Sequence, residues 1–153
     1  IQKLPFGSGV VFRHYHLDEG ARRKLFGTVR RICARRGHQL LLAGDPCLAH
    51  KWRADGVHGG LACTATLHSM AVHDLRELAK ARLAKADMIF LSPLYATQSH
   101  PGARSLGLHR FNQLARLAYP AKVIALGGMT RNRARSLDTG LVHGWAAIVA
   151  FGK

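Results

Sequence analysis

Short apolar runs alternate along this chain with segments of helical period, and no other feature constrains the fold as much. Residues 10–12, 40–42, 54–58, 62–66, 88–91, 122–126 and 145–150 read as seven strands. They are short and mostly continuous in apolar character, as strands covered on both faces require. Helical segments lie between most of them. Asp18 is placed to cap a helix whose stripe of Leu25, Phe26, Val29, Ile32 and Cys33 ends at Gly37. Residues 46–52 predict a short helix. Ser69 is placed to cap a helix carrying Val72, Leu75, Leu78, Ala79 and Leu83. Residues 108–118 predict another helix, and Thr130 is placed to cap one reaching about Thr139.

Strands separated by helices imply an α/β protein with a parallel sheet, either doubly wound or closed into a (β/α)8 barrel. Ala-Asp followed by apolar residues recurs at Ala54-Asp55-Gly56-Val57 and Ala86-Asp87-Met88-Ile89, as equivalent units entering successive strands would show. The barrel is therefore expected, as one domain over residues 1–153. A complete barrel usually needs about 250 residues. The expectation is thus a (β/α)8 TIM barrel lacking its first strand and helix and its last helix. An incomplete ring has an open edge, which flanking segments, a covering element or a homodimer would close.

At 48% apolar residues the chain can fill a sizeable core. No apolar run approaches the roughly 20 residues that span a bilayer, so no membrane role is expected. Cys33, Cys47 and Cys63 are widely spaced and form no CxxC pair, which argues against a disulfide framework or a zinc site and for the cytoplasm. The formal charge of +15 would attract nucleic acid, anionic membranes or phosphorylated metabolites. Much of it sits in Arg22, Arg23, Lys24, Arg30, Arg31, Arg35 and Arg36, at the spacing of a solvated helix face. Nucleic acid is not the expected partner, because no aromatics are interleaved there for base stacking.

The chemistry-bearing residues fall in loops after strands. Thr97, Ser99 and His100 place three donors within four residues, and Gly102 and Gly107 free the backbone to fold over a ligand. Gly127 and Gly128 present no side chain, and the helix expected after Thr130 would offer unpaired amides to an anion. Barrels commonly bind phosphate in such late loops.

Five segments, taken in order, carry a resemblance. They are Gly9-Val-Val-Phe-Arg-His-Tyr15, Ala54-Asp-Gly-Val-His58, Thr66-Leu-His-Ser69, Ser92-Pro-Leu-Tyr-Ala-Thr-Gln-Ser-His100 and Leu126-Gly-Gly-Met-Thr130. Together they resemble the thiamine phosphate synthase and TenI family, over nearly the whole chain. The resemblance implies a (β/α)8 barrel. Synthases of that family join a hydroxymethylpyrimidine diphosphate to a thiazole phosphate, while TenI-type members isomerise the thiazole phosphate.

The resemblance places Arg13 where synthases have an arginine for the diphosphate, and Tyr15 where they have a lysine. Thr97, Ser99 and His100 stand in the family's phosphate loop, Gly127 and Gly128 in its Gly-Gly turn, and Thr66 in its substrate-binding segment. Ile148 matches the next phosphate-side backbone position, and Val149 replaces the serine that usually follows. The metal half departs from the pattern. The family's Asn-Asp pair aligns with Ala43-Gly44, leaving Asp45 one place out of register, and no acid follows His58. No cofactor is therefore expected, with Mg2+ at Asp45 implied only for a synthase. His68 aligns with a histidine that TenI-type tautomerases use for proton transfer, and imidazole suits both the removal and the delivery of a proton. His58 is expected as a strand-end hydrogen-bonding residue, and His14 and His16 as exposed flanks.

The expected activity is that of a TenI-like thiazole tautomerase in thiamine biosynthesis, with thiazole phosphate or thiamine phosphate as its small-molecule partner. A Mg-dependent thiamine phosphate synthase and a nonenzymatic phosphate-binding or regulatory module are the alternatives.

Overall fold

The computed structural model describes residues 1–60, 67–97 and 104–148. The chain forms two compact units, residues 1–68 and residues 69–153.

In the first unit, β1 (Gly9–Phe12), β2 (Gln39–Ala43) and β3 (Gly56–His58) run parallel, joined by α1 (Glu19–Arg35) and α2 (Pro46–Lys51). Val10 pairs with Leu40, Phe12 with Leu42, and Leu42 with Val57. α1 starts at Asp18, whose Oδ1 accepts from the Ala21 amide at 2.9 Å, and Gly37 leaves it at φ +60°. The buried stripe of that helix, Phe26, Val29 and Cys33, packs with Phe12, Leu40, Leu42, Ala49, Trp52 and Val57. Phe26 is the centre of an aromatic cluster. Its ring lies 5.3 Å from Phe12, edge on, and 5.4 Å from Trp52.

The second unit holds most of β4 (Leu67–Val72), then α3 (Leu75–Leu83), β5 (Met88–Leu91), α4 (Gly107–Leu117), β6 (Lys122–Ala125), α5 (Arg131–Ala134) and β7 (Gly144–Trp145). These strands are also parallel and adjacent in chain order. Ile89 pairs with Val123, and Leu91 with Ala125. Phe111 is fully buried from α4 against a core that includes Leu78, Ile89, Leu91, Leu94, Leu114, Val123 and Met129.

Two expected elements differ in the structure. Ser69 does not cap a helix: it lies fully buried inside β4, paired in register with Met88. Asp74 starts α3 instead, accepting from the Glu77 amide at 2.8 Å, while Glu77 reaches back to the His73 amide at 2.8 Å. This reciprocal cap satisfies two orphan amides, which Ser69 could not do from six residues upstream of the helix. The second difference is α5, which spans only four residues. Thr130 caps it as expected, with Oγ1 accepting from the Arg133 amide at 3.2 Å. Beyond Ala134 the amides of Ser136 and Leu137 bond three residues back, and Asp138 accepts from the Gly140 amide at 2.9 Å. The chain therefore tightens into turns instead of continuing as a helix. Of the expected strands, 62–66 and the end of 145–150 lie outside the described residues, as does the glycine at position 102.

Candidate functional site

In the first unit, the residues singled out in the sequence gather at strand ends. Arg13 follows β1 and is exposed, His58 closes β3 and is half-buried, and His68 in β4 is 2% exposed. Burial foremost, then the Arg13 guanidinium and His68, lower the His58 pKa to about 4. His58 is therefore a neutral imidazole at physiological pH, beside a permanent cation.

Tyr15 stands beside two cations. The Arg13 guanidinium carbon lies 5.7 Å from its ring centroid and that of Arg22 lies 5.1 Å away. Arg22 comes from the first turns of α1. It donates from Nη2 to the Ala43 carbonyl at 2.7 Å and also lies 5.7 Å from the Trp52 ring. The expectation for His14 needs correction. It is half-buried, at φ +28°, with its ring stacked 4.4 Å from Phe12, because the bend after β1 turns it back over the core. His16 is exposed, as expected, with its ring 5.7 Å from that of His14.

In the second unit, the loops after β5 and β6 lie against one another. The Leu94 and Tyr95 amides donate to the Leu126 and Gly127 carbonyls at 2.8 and 3.1 Å. Gly127 has φ +93°, and a Cβ there would stand 2.6 Å from Pro93 Cα. Gly128 has φ +62°, and a Cβ there would meet the Ala96 carbonyl oxygen at 2.5 Å. The glycine pair thus makes room for the neighbouring loop as well as for any ligand. Arg133 donates to the Gly128 carbonyl, and its guanidinium lies 4.7 Å from the Tyr95 ring. Among the described residues the Gly127 and Gly128 amides donate to no protein acceptor. Thr97 is half-buried at the last described position of its loop, and Ile148 is 67% exposed. Thr66, Ser99, His100 and Val149 lie outside the described residues.

The acidic residues decide whether the family's magnesium fits this chain. There are eight: Asp18, Glu19, Asp45, Asp55, Asp74, Glu77, Asp87 and Asp138. Asp45 is the N-cap of α2 and accepts from the Cys47 amide at 2.8 Å. Asp18 and Asp74 cap α1 and α3, Asp55 accepts from the Leu40 amide at 2.8 Å, and Glu77 and Asp138 hold backbone amides of their own turns. Among the described residues no three of His, Cys, Asp and Glu come together as a cation would need. Six of the eight acids thus accept from backbone amides, and the described residues bring no carboxylate cluster together for Mg2+.

Arg22 escaped sequence reasoning. Its partner Ala43 is 21 residues away, and within α1 it is one of six basic residues.

The class these features define is a parallel α/β protein with glycine- and hydroxyl-bearing loops after its strands. The family model TMP-TENI, thiamine monophosphate synthase, matches residues 7–151, and the chain belongs to that family of thiamine biosynthesis. It is 26% identical over 150 residues to a thiamine-phosphate synthase of Bacillus velezensis, covering 88% of this chain and 67% of that protein. To a thiamine-phosphate synthase of Leuconostoc citreum it is 30% identical over 160 residues, covering 92% of this chain and 74% of that protein. Among solved structures it is similar to the thiamine phosphate pyrophosphorylase from Pyrococcus furiosus, with a TM-score of 0.78 at 18% identity, over 95% of this chain and 75% of that one. A thiamine phosphate pyrophosphorylase from Bacteroides thetaiotaomicron matches with a TM-score of 0.63 at 17% identity, over 96% and 70%. The fold is thus that of these proteins. Among the described residues no helix is long and apolar enough to cross a membrane.

Proposed function

We propose that this protein is a TenI-like member of its family, which binds thiazole phosphate or thiamine phosphate and isomerises the thiazole ring. The observation that carries the reading is the commitment of six of the eight acids to backbone amides, Asp45 among them, while a neutral His58 lies within the influence of both Arg13 and His68. Tautomerisation moves a double bond by taking one proton from the ring and returning one elsewhere, and it consumes no metal or diphosphate. His68 is the acid/base group in this reading: its imidazole accepts the departing proton and the imidazolium returns one. Arg13 faces the anionic end of the substrate. In the second unit, in this reading, phosphate binds to the amides of Gly127 and Gly128, and the substrate to Thr97 and Ile148; Thr66, Ser99, His100 and Val149, given the same role by the resemblance, lie outside the described residues. The domain in this reading is 1–153, of the (β/α)8 barrel class, acting in the cytoplasm.

Titration with thiazole phosphate and thiamine phosphate tests the binding half, and no saturation by either at millimolar concentration removes it. His68→Gln tests the chemical half: isomerisation falls at least about 100-fold, the scale of general acid–base catalysis, while affinity holds within a few-fold. Full activity in that variant removes the assigned role.

The relatives' names favour a second reading, a Mg-dependent thiamine phosphate synthase. Coupling of hydroxymethylpyrimidine diphosphate with thiazole phosphate, dependent on added Mg2+, would establish it in place of the first. Saturable phosphate-ligand binding with turnover in neither assay would establish a nonenzymatic module.

A further inference from the structure

We infer that the outer face of α1, with the exposed Phe6 ring at its C-terminal end, is a docking surface for single-stranded nucleic acid. No residue of the strand ends or of the second unit's loops takes part in it, so it goes beyond the function proposed above and stands apart from it.

The charge on this face is unneutralised. α1 carries six basic residues, and its one acid, Glu19, stands in the first turn. Arg23, Lys24, Arg30, Arg31 and Arg35 are exposed, and none pairs with a carboxylate among the described residues. At about 100° per residue they fall into two rows along the helix, Arg23 with Arg30 and Lys24 with Arg31 and Arg35. Gly27 and Ala34 are exposed between the rows. A Cβ at Gly27 would meet no atom within 4 Å, so no packing within the described residues requires glycine there, although glycine weakens a helix interior relative to alanine. The result is a furrow between cationic rows, where a phosphodiester chain can approach the helix backbone. The helix is about 25 Å long, so a small phosphorylated metabolite reaches only part of the rows while a strand follows them.

The fold also supplies the aromatic ring that the basic run itself lacks on its exposed side. Phe6 is 79% exposed and stands over Gly37, just past the helix, where a Cβ would come within 2.6 Å of the Phe6 Cζ. The segment that carries the ring is fastened to Arg36 on both sides. Arg36 Nη2 donates to the Leu4 carbonyl at 3.1 Å, and the Gly7 amide donates to the Arg36 carbonyl at 3.4 Å. The Ser8 amide continues the attachment, donating to His38 Nδ1 at 3.1 Å. The ring is therefore held in place yet open, at the helix end that carries Arg35 and Arg36, and an unpaired base can stack on it.

These features select among polyanions. An anionic membrane needs apolar side chains on the same face to insert, whereas the apolar stripe of α1 packs into the core. Duplex nucleic acid offers phosphates but keeps its base faces in the stack, which leaves Phe6 unused. A single strand uses both the rows and the ring.

Fluorescence anisotropy of the whole chain with a labelled single-stranded oligonucleotide of about 15 nucleotides tests the surface, the probe being long enough to follow the helix and reach Phe6. Saturable binding is expected at about 50 mM salt, weakening along a log–log slope of about −3, as for about four neutralised phosphates on a single strand. The pairs Arg23→Gln with Arg30→Gln, and Arg31→Gln with Arg35→Gln, should each weaken binding at least about 10-fold and flatten that slope. Arg76→Gln with Lys80→Gln removes the same charge from exposed positions of α3 and should change affinity by less than about 3-fold. Phe6→Leu should weaken binding at least about 5-fold with the slope unchanged, and Phe6→Trp should restore it. Circular dichroism and thermal unfolding confirm that each variant is native. No saturation at low salt, α1 variants that lose no more than the α3 control, or a folded Phe6→Leu that binds as wild type does overturns the proposal. So does a duplex of the same sequence that binds more tightly than the single strand. Vesicles of phosphatidylglycerol and phosphatidylcholine are titrated in parallel, and binding to them with none to the oligonucleotide makes the face a membrane surface instead.

Discussion

Arg22 donates from Nη2 to the carbonyl oxygen of Ala43 at 2.7 Å, tying the first turns of α1 to the C-terminal end of β2. That bond sets a cation beside the position where the family's Asn-Asp pair aligns, and Asp45, the nearest acid in sequence, is turned away to cap α2. The local electrostatics of the first unit follow from this exchange. Guanidinium groups and a neutral imidazole occupy the strand ends, and the carboxylates serve the backbone.

Asp45 caps α2, and its expected contribution is to stability. Asp45→Ala removes the cap on the Cys47 amide and is expected to cost about 1 kcal/mol. Urea denaturation measures that loss. Titration of the same variant with thiazole phosphate should show wild-type affinity, and a large drop would return Asp45 to a ligand-binding role.

The turn after β6 should tolerate no side chain. Gly127→Ala would drive a Cβ against Pro93, and Gly128→Ala would drive one against the Ala96 carbonyl, both at positive φ. Backbone atoms cannot yield as a flexible side chain can, so each variant should lose about 1–3 kcal/mol. Thermal unfolding would show it as a lowered Tm. An unchanged Tm would mean that the two loops do not meet as described.

His58 makes stability depend on pH. Its pKa is lowered from 6.5 to about 4 in the folded chain, so between those values the unfolded chain binds the extra proton. The native state then loses stability as pH falls from about 6.5 toward 4 and regains it on the way back up. The shift corresponds to a loss on the order of 2–3 kcal/mol across that window. His58→Gln removes the titration, and unfolding free energies at several pH values should show a flatter curve for the variant. Parallel curves would place the titration elsewhere.

Phe26 is the ring on which the first unit's core turns, touching Phe12 and Trp52. Phe26→Ala should cost about 3–5 kcal/mol, the range for truncating a buried aromatic. The change should also loosen the Trp52 ring, which flanks Arg22, so tryptophan fluorescence gives a second readout.

Much of the fold was legible in the residues because its signals are local. The stripe from Phe26 to Cys33, the cap at Asp18 and the stop at Gly37 all lie within one helix, and the structure forms that helix as expected. Met88–Leu91 reads as a strand from its own four residues and is one. Ser69 misled because a serine before an apolar period can be a cap or a buried strand residue. The capping box at Asp74 and Glu77 was present in the sequence and was the better signal. The length of α5 was not legible, since whether the chain continues as a helix after Ala134 depends on how the Asp138 turn competes with it. For the site, the motifs around Arg13, His68, Thr97 and Gly127 led to the family, and the match over residues 7–151 agrees.

The sequence by itself determined the order of strands and helices, the family, and the scarcity of acids, because each depends on residue identity and near neighbours. Only the tertiary structure decided what those residues touch. It brought Arg22 to the Ala43 carbonyl and made His58 a weak base beside Arg13. The physical reason is distance along the chain. Charge and hydrogen-bonding partners 20 or more residues apart are chosen by packing, and no local pattern encodes which of six basic side chains on one helix will reach the end of the next strand.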